Sequence, residues 1–286
     1  MNFIDLNAWL GTWPFRDLRD NDAASLLSRL ERAGIQRAAV SQIEAAFQRN
    51  VQVANERLAQ SVESCKDRLL PMATINPRFP HWEQDLRRCH EDLGMRGVRL
   101  FPCYHDYPAN DPEAIRVAHL CAERNLPVFL PHRLEDARQR HWMDPGRSLD
   151  LAAAAEMIAA VPKATIVITN ARGILSSALW KRQDLRGANW FYDLSLSEVH
   201  YRLHTTVSSM RDLAEFIDQG GARHLVFGTH TPFSYPSAAR VKTAVLPVDA
   251  ETRAQICSGR AEKMLGLASQ DLPSDGGNDK RGQGRR

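Results

Sequence analysis

Phe3-Ile4-Asp5-Leu6-Asn7-Ala8-Trp9-Leu10-Gly11 reads as a buried β-strand that delivers Asn7 and Trp9 near its C-terminal end. Seven further short apolar runs follow at intervals: Arg37 to Ser41, Leu69 to Asn76, Gly97 to Pro102, Pro127 to Pro131, Thr165 to Asn170, Trp190 to Leu194 and His224 to Gly228. Most are continuous runs rather than alternating ones, the pattern of parallel strands covered on the outside by helices. Between them lie stretches with apolar residues at helical spacing: Ala23 to Ala33, Val51 to Val62, Trp82 to Leu93, Pro112 to Arg124, Leu149 to Val161 and Met210 to Gln219. Asp22 and Asp111 suit helix N-caps, and Gly34 and Gly220 suit helix stops. Eight strands alternating with about eight helices predict an α/β fold, a right-handed (β/α)8 TIM barrel. An open doubly wound sheet is the competing arrangement, disfavoured because no Gly-rich dinucleotide turn follows the first strand.

Composition bounds the function. The chain has 286 residues, is 43% hydrophobic and 25% charged, and carries a net charge of +3. That is ordinary for a globular protein with a sizeable core. The cations are dispersed, which argues against nucleic acid as a partner. Five cysteines, Cys65, Cys89, Cys103, Cys121 and Cys257, show no CxxC spacing, so neither a disulfide framework nor a zinc knuckle is expected. No basic-then-apolar leader and no membrane-length apolar run are present, so a cytoplasmic protein with no membrane partner is expected. Residues 1–268 are expected to form a single barrel domain. From Ser269 the sequence turns rich in Gly and charge, and 269–286 are expected to be a disordered tail.

Several strand ends resemble the amidohydrolase-2 family, which contains aminocarboxymuconate-semialdehyde decarboxylase and related aromatic-acid decarboxylases and lactonases. The similar segments are Ile4-Asp5, Leu70-Pro71-Met72-Ala73-Thr74-Ile75-Asn76-Pro77, Leu93-Gly94-Met95-Arg96-Gly97-Val98-Arg99-Leu100-Phe101-Pro102, Asn125-Leu126-Pro127-Val128 before His132, and Gly228 to Phe233 followed by Gly259 to Leu267. They occur in family order over roughly residues 3 to 268. The resemblance implies a metal-dependent-hydrolase-like barrel and, from habits of the family, a homodimer paired through outer helices. The family's metal ligands are rewritten: its strand-one His-x-His is Asn7 and Trp9, its strand-six histidine falls at Asn170, and its strand-eight aspartate falls at His230. His132 alone stands at a histidine position of the family.

In such a barrel the site is built at the C-terminal strand ends. The groups expected there are Asn7, Trp9, Trp13, Arg16, Tyr104, His105, His132, Arg133, Glu135, Asp136, Asn170, Asp193, Ser195, His230 and Phe233. Neutral amides are poor zinc ligands, so no metal and no other cofactor are expected. A shifted set of His132, His230 and either Glu135 or Asp136, suited to one zinc or iron ion, is the alternative. His230, with His132 or His105, is expected to move protons near neutrality. Arg16 or Arg133 is expected to clamp a carboxylate, Glu135 or Asp136 to orient a histidine, and Asn7 and Asn170 to form an oxyanion site. Trp9, Trp13, Tyr104 and Phe233 either wall a flat pocket or plug the barrel mouth. The expected partner is a small carboxylated or cyclic substrate, processed by metal-independent acid–base chemistry, as lactonase-type hydrolysis or C–C lyase cleavage. A metal-dependent hydrolase or decarboxylase with the shifted ligands, and a binding protein without catalysis on the same fold, remain open.

Overall fold

In a computed structural model, which describes residues 1–136, 139–195 and 210–267, nine strands run parallel. They are β1 (Ile4–Leu10), β2 (Arg37–Gln42), β3 (Leu69–Pro71), β4 (Ala73–Thr74), β5 (Val98–Arg99), β6 (Val128–Pro131), β7 (Ile166–Thr169), β8 (Trp190–Asp193) and β9 (Leu225–Val226). The order is β1-β2-β3 and then β4 through β9. β3 and β4 are one barrel strand interrupted at Met72, whose N–H donates to Val40 O on the β2 side while Ala73 N donates to Gly97 O on the other. The ring closes between β1 and the segment after β9: Leu6 N donates to Phe227 O, His230 N to Asn7 O and Trp9 N to Thr231 O. All eight expected strands are present, forming the eight staves of a TIM barrel.

The helices fall between the strands. They are α1 (Ala23–Arg32), α2 (Gln52–Val62), α3 (Trp82–Glu91), α4 (Pro102–His105), α5 (Pro112–Glu123), α6 (Leu151–Ala160), α7 (Ala178–Lys181), α8 (Met210–Asp218), α9 (Pro236–Ala244), α10 (Ala250–Ala254) and α11 (Arg260–Met264), the last two joined by a π-helical turn at Gln255–Gly259. Asp22 and Asp111 cap α1 and α5, each side chain accepting from a first-turn backbone N–H, which satisfies a donor the helix leaves open. Gly34 and Gly220 end their helices in the left-handed region. The expected tail at 269–286 lies outside the described residues. No described helix is long and apolar enough to cross a membrane.

Two apolar layers hold the barrel. Ile4, Leu6, Ala39, Leu70, Met72, Phe129, Val167 and Val226, from six of the eight staves, form one cluster that fills its lower interior. A larger layer packs helices against the strands' outer faces. The upper interior differs, because Asp5, Asn7, Arg99, Asn170, Asp193 and His230 are all buried there. This polar tier sits where a TIM barrel presents its site.

Candidate functional site

Asn7 stands at the centre of the tier. Its Nδ2 lies 2.7 Å from Asn170 Oδ1, 2.8 Å from Asp193 Oδ2 and 2.9 Å from Ser195 Oγ, so both amide hydrogens are spent. Its Oδ1 accepts from Arg99 Nη1 at 3.2 Å. Asn170 spends its own Nδ2 on Arg133 O at 2.8 Å and on His230 Nδ1 at 3.1 Å. The amides expected to polarise a substrate carbonyl are therefore bonded to each other and to neighbouring strands, and the oxyanion role has no geometry to support it.

His230 has both ring nitrogens engaged. Nδ1 receives the Trp9 indole N–H at 3.1 Å as well as the Asn170 amide, which assigns the ring proton to Nε2. Nε2 then donates to Leu134 O at 2.5 Å. Burial pushes the imidazole's pKa down to about 3, with Arg99, Arg133 and Arg16 disfavouring the cation further and the Leu134 contact opposing them. Phe233 stacks on the ring at 4.6 Å. His230 is thus a neutral pin joining strand ends. Its expected proton-transfer role meets no free nitrogen and no solvent.

A cation already occupies this tier. Arg99 is fully buried; its Nε donates to Ser41 Oγ at 3.0 Å, and its guanidinium carbon lies 4.1 Å over the Trp9 ring. Burial lowers its pKa to about 9, against the pull of Asp193 and Asp5, so it stays charged at neutrality. Asp193 accepts from Asn170 N, Asn7 Nδ2 and Ser195 Oγ, yet burial lifts its pKa to about 6. Asp5, raised by burial, is held by the Asn7 and Thr229 backbone N–H groups and the Thr229 hydroxyl. The strand sequences Ile4-Asp5-Leu6 and Val98-Arg99-Leu100 carried the signal, a charge inside an apolar run, that would have brought Asp5 and Arg99 into the expected set.

The family's metal does not fit these residues. Its ligand positions carry two neutral amides bonded to neighbouring strands, an indole, and a histidine whose Nδ1 already accepts from Trp9 and Asn170. No described group of three or more His, Cys, Asp or Glu side chains is arranged to hold an ion. The shifted set fails for the same reason, since His230 bonds protein partners at both nitrogens and Glu135 is turned elsewhere. Glu135 Oε1 and Oε2 accept from Arg16 Nε at 2.5 Å and Trp13 Nε1 at 3.0 Å rather than orienting a histidine.

The aromatic residues make a plug. Trp13 packs edge-on against Phe15, Tyr104 and Phe233, with centroid distances of 5.2–6.5 Å, and is 2% exposed. Arg16 lies over Phe233. His105 faces Phe101, and its Nε2 contacts Ala45 O at 3.0 Å; burial lowers its pKa. It sits on the outer side of the plug, apart from the polar tier.

His132 is placed differently. It follows β6 and lines a cavity of about 290 Å³ at the strand-end rim with Tyr104, Arg133, Glu135, Asp144 and Arg172. Its Nδ1 is buried and finds no hydrogen-bond partner among the described residues. Burial first, then Arg133 and Arg172, lower its pKa to about 4. Arg140 and Arg147 complete the lining, so four arginines face two carboxylates. Arg140 pairs with Asp144 at 3.3 Å, and Asp144 Oδ1 accepts from Gly146 N, which folds the 144–148 segment against Tyr104. A side chain at Gly146 would run into the Tyr104 ring at 2.3 Å. Asp144, Gly146, Arg147 and Arg172 were absent from the expected set because they lie in loops without a local signature.

A sequence profile described as amidohydrolase matches residues 7–267. The chain belongs to the amidohydrolase family. Solved structures agree on the amidohydrolase fold. A dihydroxybenzoic acid decarboxylase from Polaromonas, with bound manganese and 2-nitroresorcinol, superposes with a TM-score of 0.71 at 16% identity over 95% of this chain and 99% of that one. A 5-carboxyvanillate decarboxylase from Sphingomonas paucimobilis gives 0.70 at 14% identity over 93% and 99%. A probable 2-pyrone-4,6-dicarboxylic acid hydrolase from Acinetobacter baumannii, with citric acid bound, gives 0.63 at 16% identity over 93% and 100%. No curated protein matches this amidohydrolase sequence.

Proposed function

We propose that this amidohydrolase-family barrel acts on a small carboxylated, cyclic substrate without a metal, and that its reacting site is the rim cavity beside His132 rather than the barrel axis. The observation that carries this reading is His132 on the wall of a cavity lined by Arg133, Arg140, Arg147 and Arg172, its buried Nδ1 without a hydrogen-bond partner among the described residues and so left for a proton once substrate and water enter beside it. An excess of guanidinium groups suits a substrate carboxylate, which arginine grips with two parallel hydrogen bonds. A histidine with a pKa near 4 is unprotonated at neutrality and enters the reaction as a base. In lactone hydrolysis, Nδ1 takes a proton from water as the water oxygen bonds to the carbonyl carbon. The ring C–O bond then breaks, and the proton passes to the departing alkoxide. The neighbours' carboxylated aromatic and pyrone compounds support the substrate class, and C–C lyase cleavage of such an acid fits the same clamp and base. Residues 1–268 act as one barrel unit in this reading.

The test is turnover of small carboxylated lactones and β-keto acids by chelator-treated protein. His132→Gln is expected to reduce kcat by about 10²-fold or more, while Arg147→Gln raises KM. Full activity in His132→Gln ends the proposal. A second reading, a binding protein without catalysis, is favoured by the sealed axial network, in which Asn7, Asn170 and His230 have no group left to offer a substrate. Ligands that raise the melting temperature without ever being converted select that reading.

A further inference from the structure

We propose that the opposite, N-terminal face of the barrel carries a second ligand site, which takes a small organic polyanion bearing phosphate groups or several carboxylates. The pocket there encloses about 540 Å³. It is formed where the loops entering β6, β7, β8 and β9 meet the π-helical turn at Gln255–Gly259 and α11. Thr165 and Asn189 mark its position: Ile166 N donates to Asn189 O, and Asn189 Nδ2 donates to Thr165 Oγ1, at the start of two neighbouring staves. This is the far end of the barrel from His132.

The lining is one-signed. Lys163, Arg223, Arg260 and Lys263 all face the pocket, and no carboxylate lines it. None of the four makes an ion pair among the described residues. The rim cavity beside His132, by contrast, sets Glu135 and Asp144 among its arginines, so four cations converging on one hollow without a lining acid mark this pocket out. Two of them are held in place by backbone carbonyls: Arg260 Nη1 donates to Leu225 O at 2.7 Å, and Arg223 Nη2 to Gly187 O at 3.3 Å. Those anchors fix guanidinium groups that would otherwise swing apart. Burial lowers the Arg260 pKa, and the nearby Arg223 guanidinium lowers it further. A concave surface of one sign concentrates field and draws oppositely charged ligands.

The pocket also offers neutral donors and an apolar floor. The side-chain amides of Asn125 and Gln255 stand beside the cations, while Phe191 and Met264 supply flat hydrocarbon. Charged rim and apolar base together suit an organic anion better than a bare inorganic one. Gln255 belongs to the π-helical turn at Gln255–Gly259, a helix irregularity that recurs at binding sites because it re-aims side chains. Arg260 begins the helix directly after that turn.

The experiment uses the full chain and reads both thermal stability and calorimetric binding, with pyrophosphate and citrate as probes and sodium chloride matched for ionic strength. Saturable binding of either probe is expected, and whichever binds tighter names the phosphate or the carboxylate class. Lys163→Gln/Lys263→Gln, two exposed positions with no side-chain hydrogen bond or ion pair among the described residues, is expected to weaken binding by about tenfold or more. Arg260→Gln is expected to do the same. Arg147→Gln at the rim cavity leaves this binding intact, which separates the present site from the substrate pocket. Stabilisation that only follows ionic strength, or binding undiminished in Lys163→Gln/Lys263→Gln, overturns the proposal.

Discussion

Arg99 explains how the barrel axis stays folded with charge inside it. A guanidinium between Asp193 and Asp5 offsets two buried carboxylates, and removing one partner of such a cluster leaves the others uncompensated. Arg99→Met is expected to cost about 3–5 kcal/mol in urea unfolding, with Arg99→Lys milder; a loss within error of zero would show that the carboxylates are already neutral. The buried histidines set the pH response. His230 and His132 have folded values of about 3 and about 4, below their ordinary 6.5. Their stabilising effect is complete above pH 6.5 and is withdrawn as pH falls, by ~1.4 kcal/mol per unit for each group. Asp193, raised from 3.8 to about 6, acts oppositely, favouring the fold as pH drops from 6 towards 4, and Asp5, also raised by burial, works in the same direction, so the two carboxylates offset part of the histidines' loss. His105 and His224, also lowered, add to the loss. Urea midpoints are therefore expected to fall steadily between about pH 6.5 and 4, and less steeply in His132→Gln; a midpoint flat over that range refutes the assignment. That Asn7, Trp9, Asn170 and His230 share one location was legible in the sequence, because strand ends of a parallel barrel converge. Their roles were not, since only geometry shows that each donor is already spent on a neighbour.

Strand ends, not helices, decide what the site can do. The eight staves were readable because each is a short apolar run between polar helical stretches. Their ends were less so: β5 is only Val98–Arg99, and Leu100 to Pro102 already turn into α4. Helices α9 and α10 escaped the reading although Pro236 at the first turn and Asp249 as a cap were available signals, whereas α11 falls within the Gly259 to Leu267 segment that carried the family resemblance. The β-branched Val241, Thr243 and Val245 blurred the helical period there. The close approach of β8 to the segment after β9 is the element contact that shapes the tier. A Cβ at Gly228 would lie 2.5 Å from Asp193 Oδ2, whereas one at Gly187 meets nothing within 4 Å. Gly228→Ala is thus expected to push the carboxylate off Asn7 and the Asn170 N–H and to destabilise by about 2–3 kcal/mol. Gly187→Ala serves as the near-neutral control. Equal melting temperatures for the two variants would mean that β8 yields without disturbing the network.

For the molecule as a whole, the amidohydrolase scaffold carries charge at its barrel axis on side chains of its own, Arg99, Asp193 and Asp5. In a metal-holding barrel, the ion ties strand ends together, and its removal leaves unpaired ligands that must be protonated or resolvated. Here the same strands are tied by Asn7 to Asn170 and Asp193, by His230 to Trp9 and Leu134, and by Arg99 to Asn7 and Ser41. None of these bonds involves an exchangeable partner. Prolonged dialysis against a strong chelator should therefore leave the thermal midpoint of the full chain unchanged, and adding zinc, manganese or iron afterwards should not raise it. Any ion that bound the native state and not the unfolded chain would shift the midpoint upward in proportion to the logarithm of its concentration. Scanning calorimetry across a metal titration, with elemental analysis of the same samples, checks this directly. A saturable rise with near-stoichiometric uptake would place a cation at the barrel axis and require the His230 ring to give up its bonds to Trp9 or Leu134.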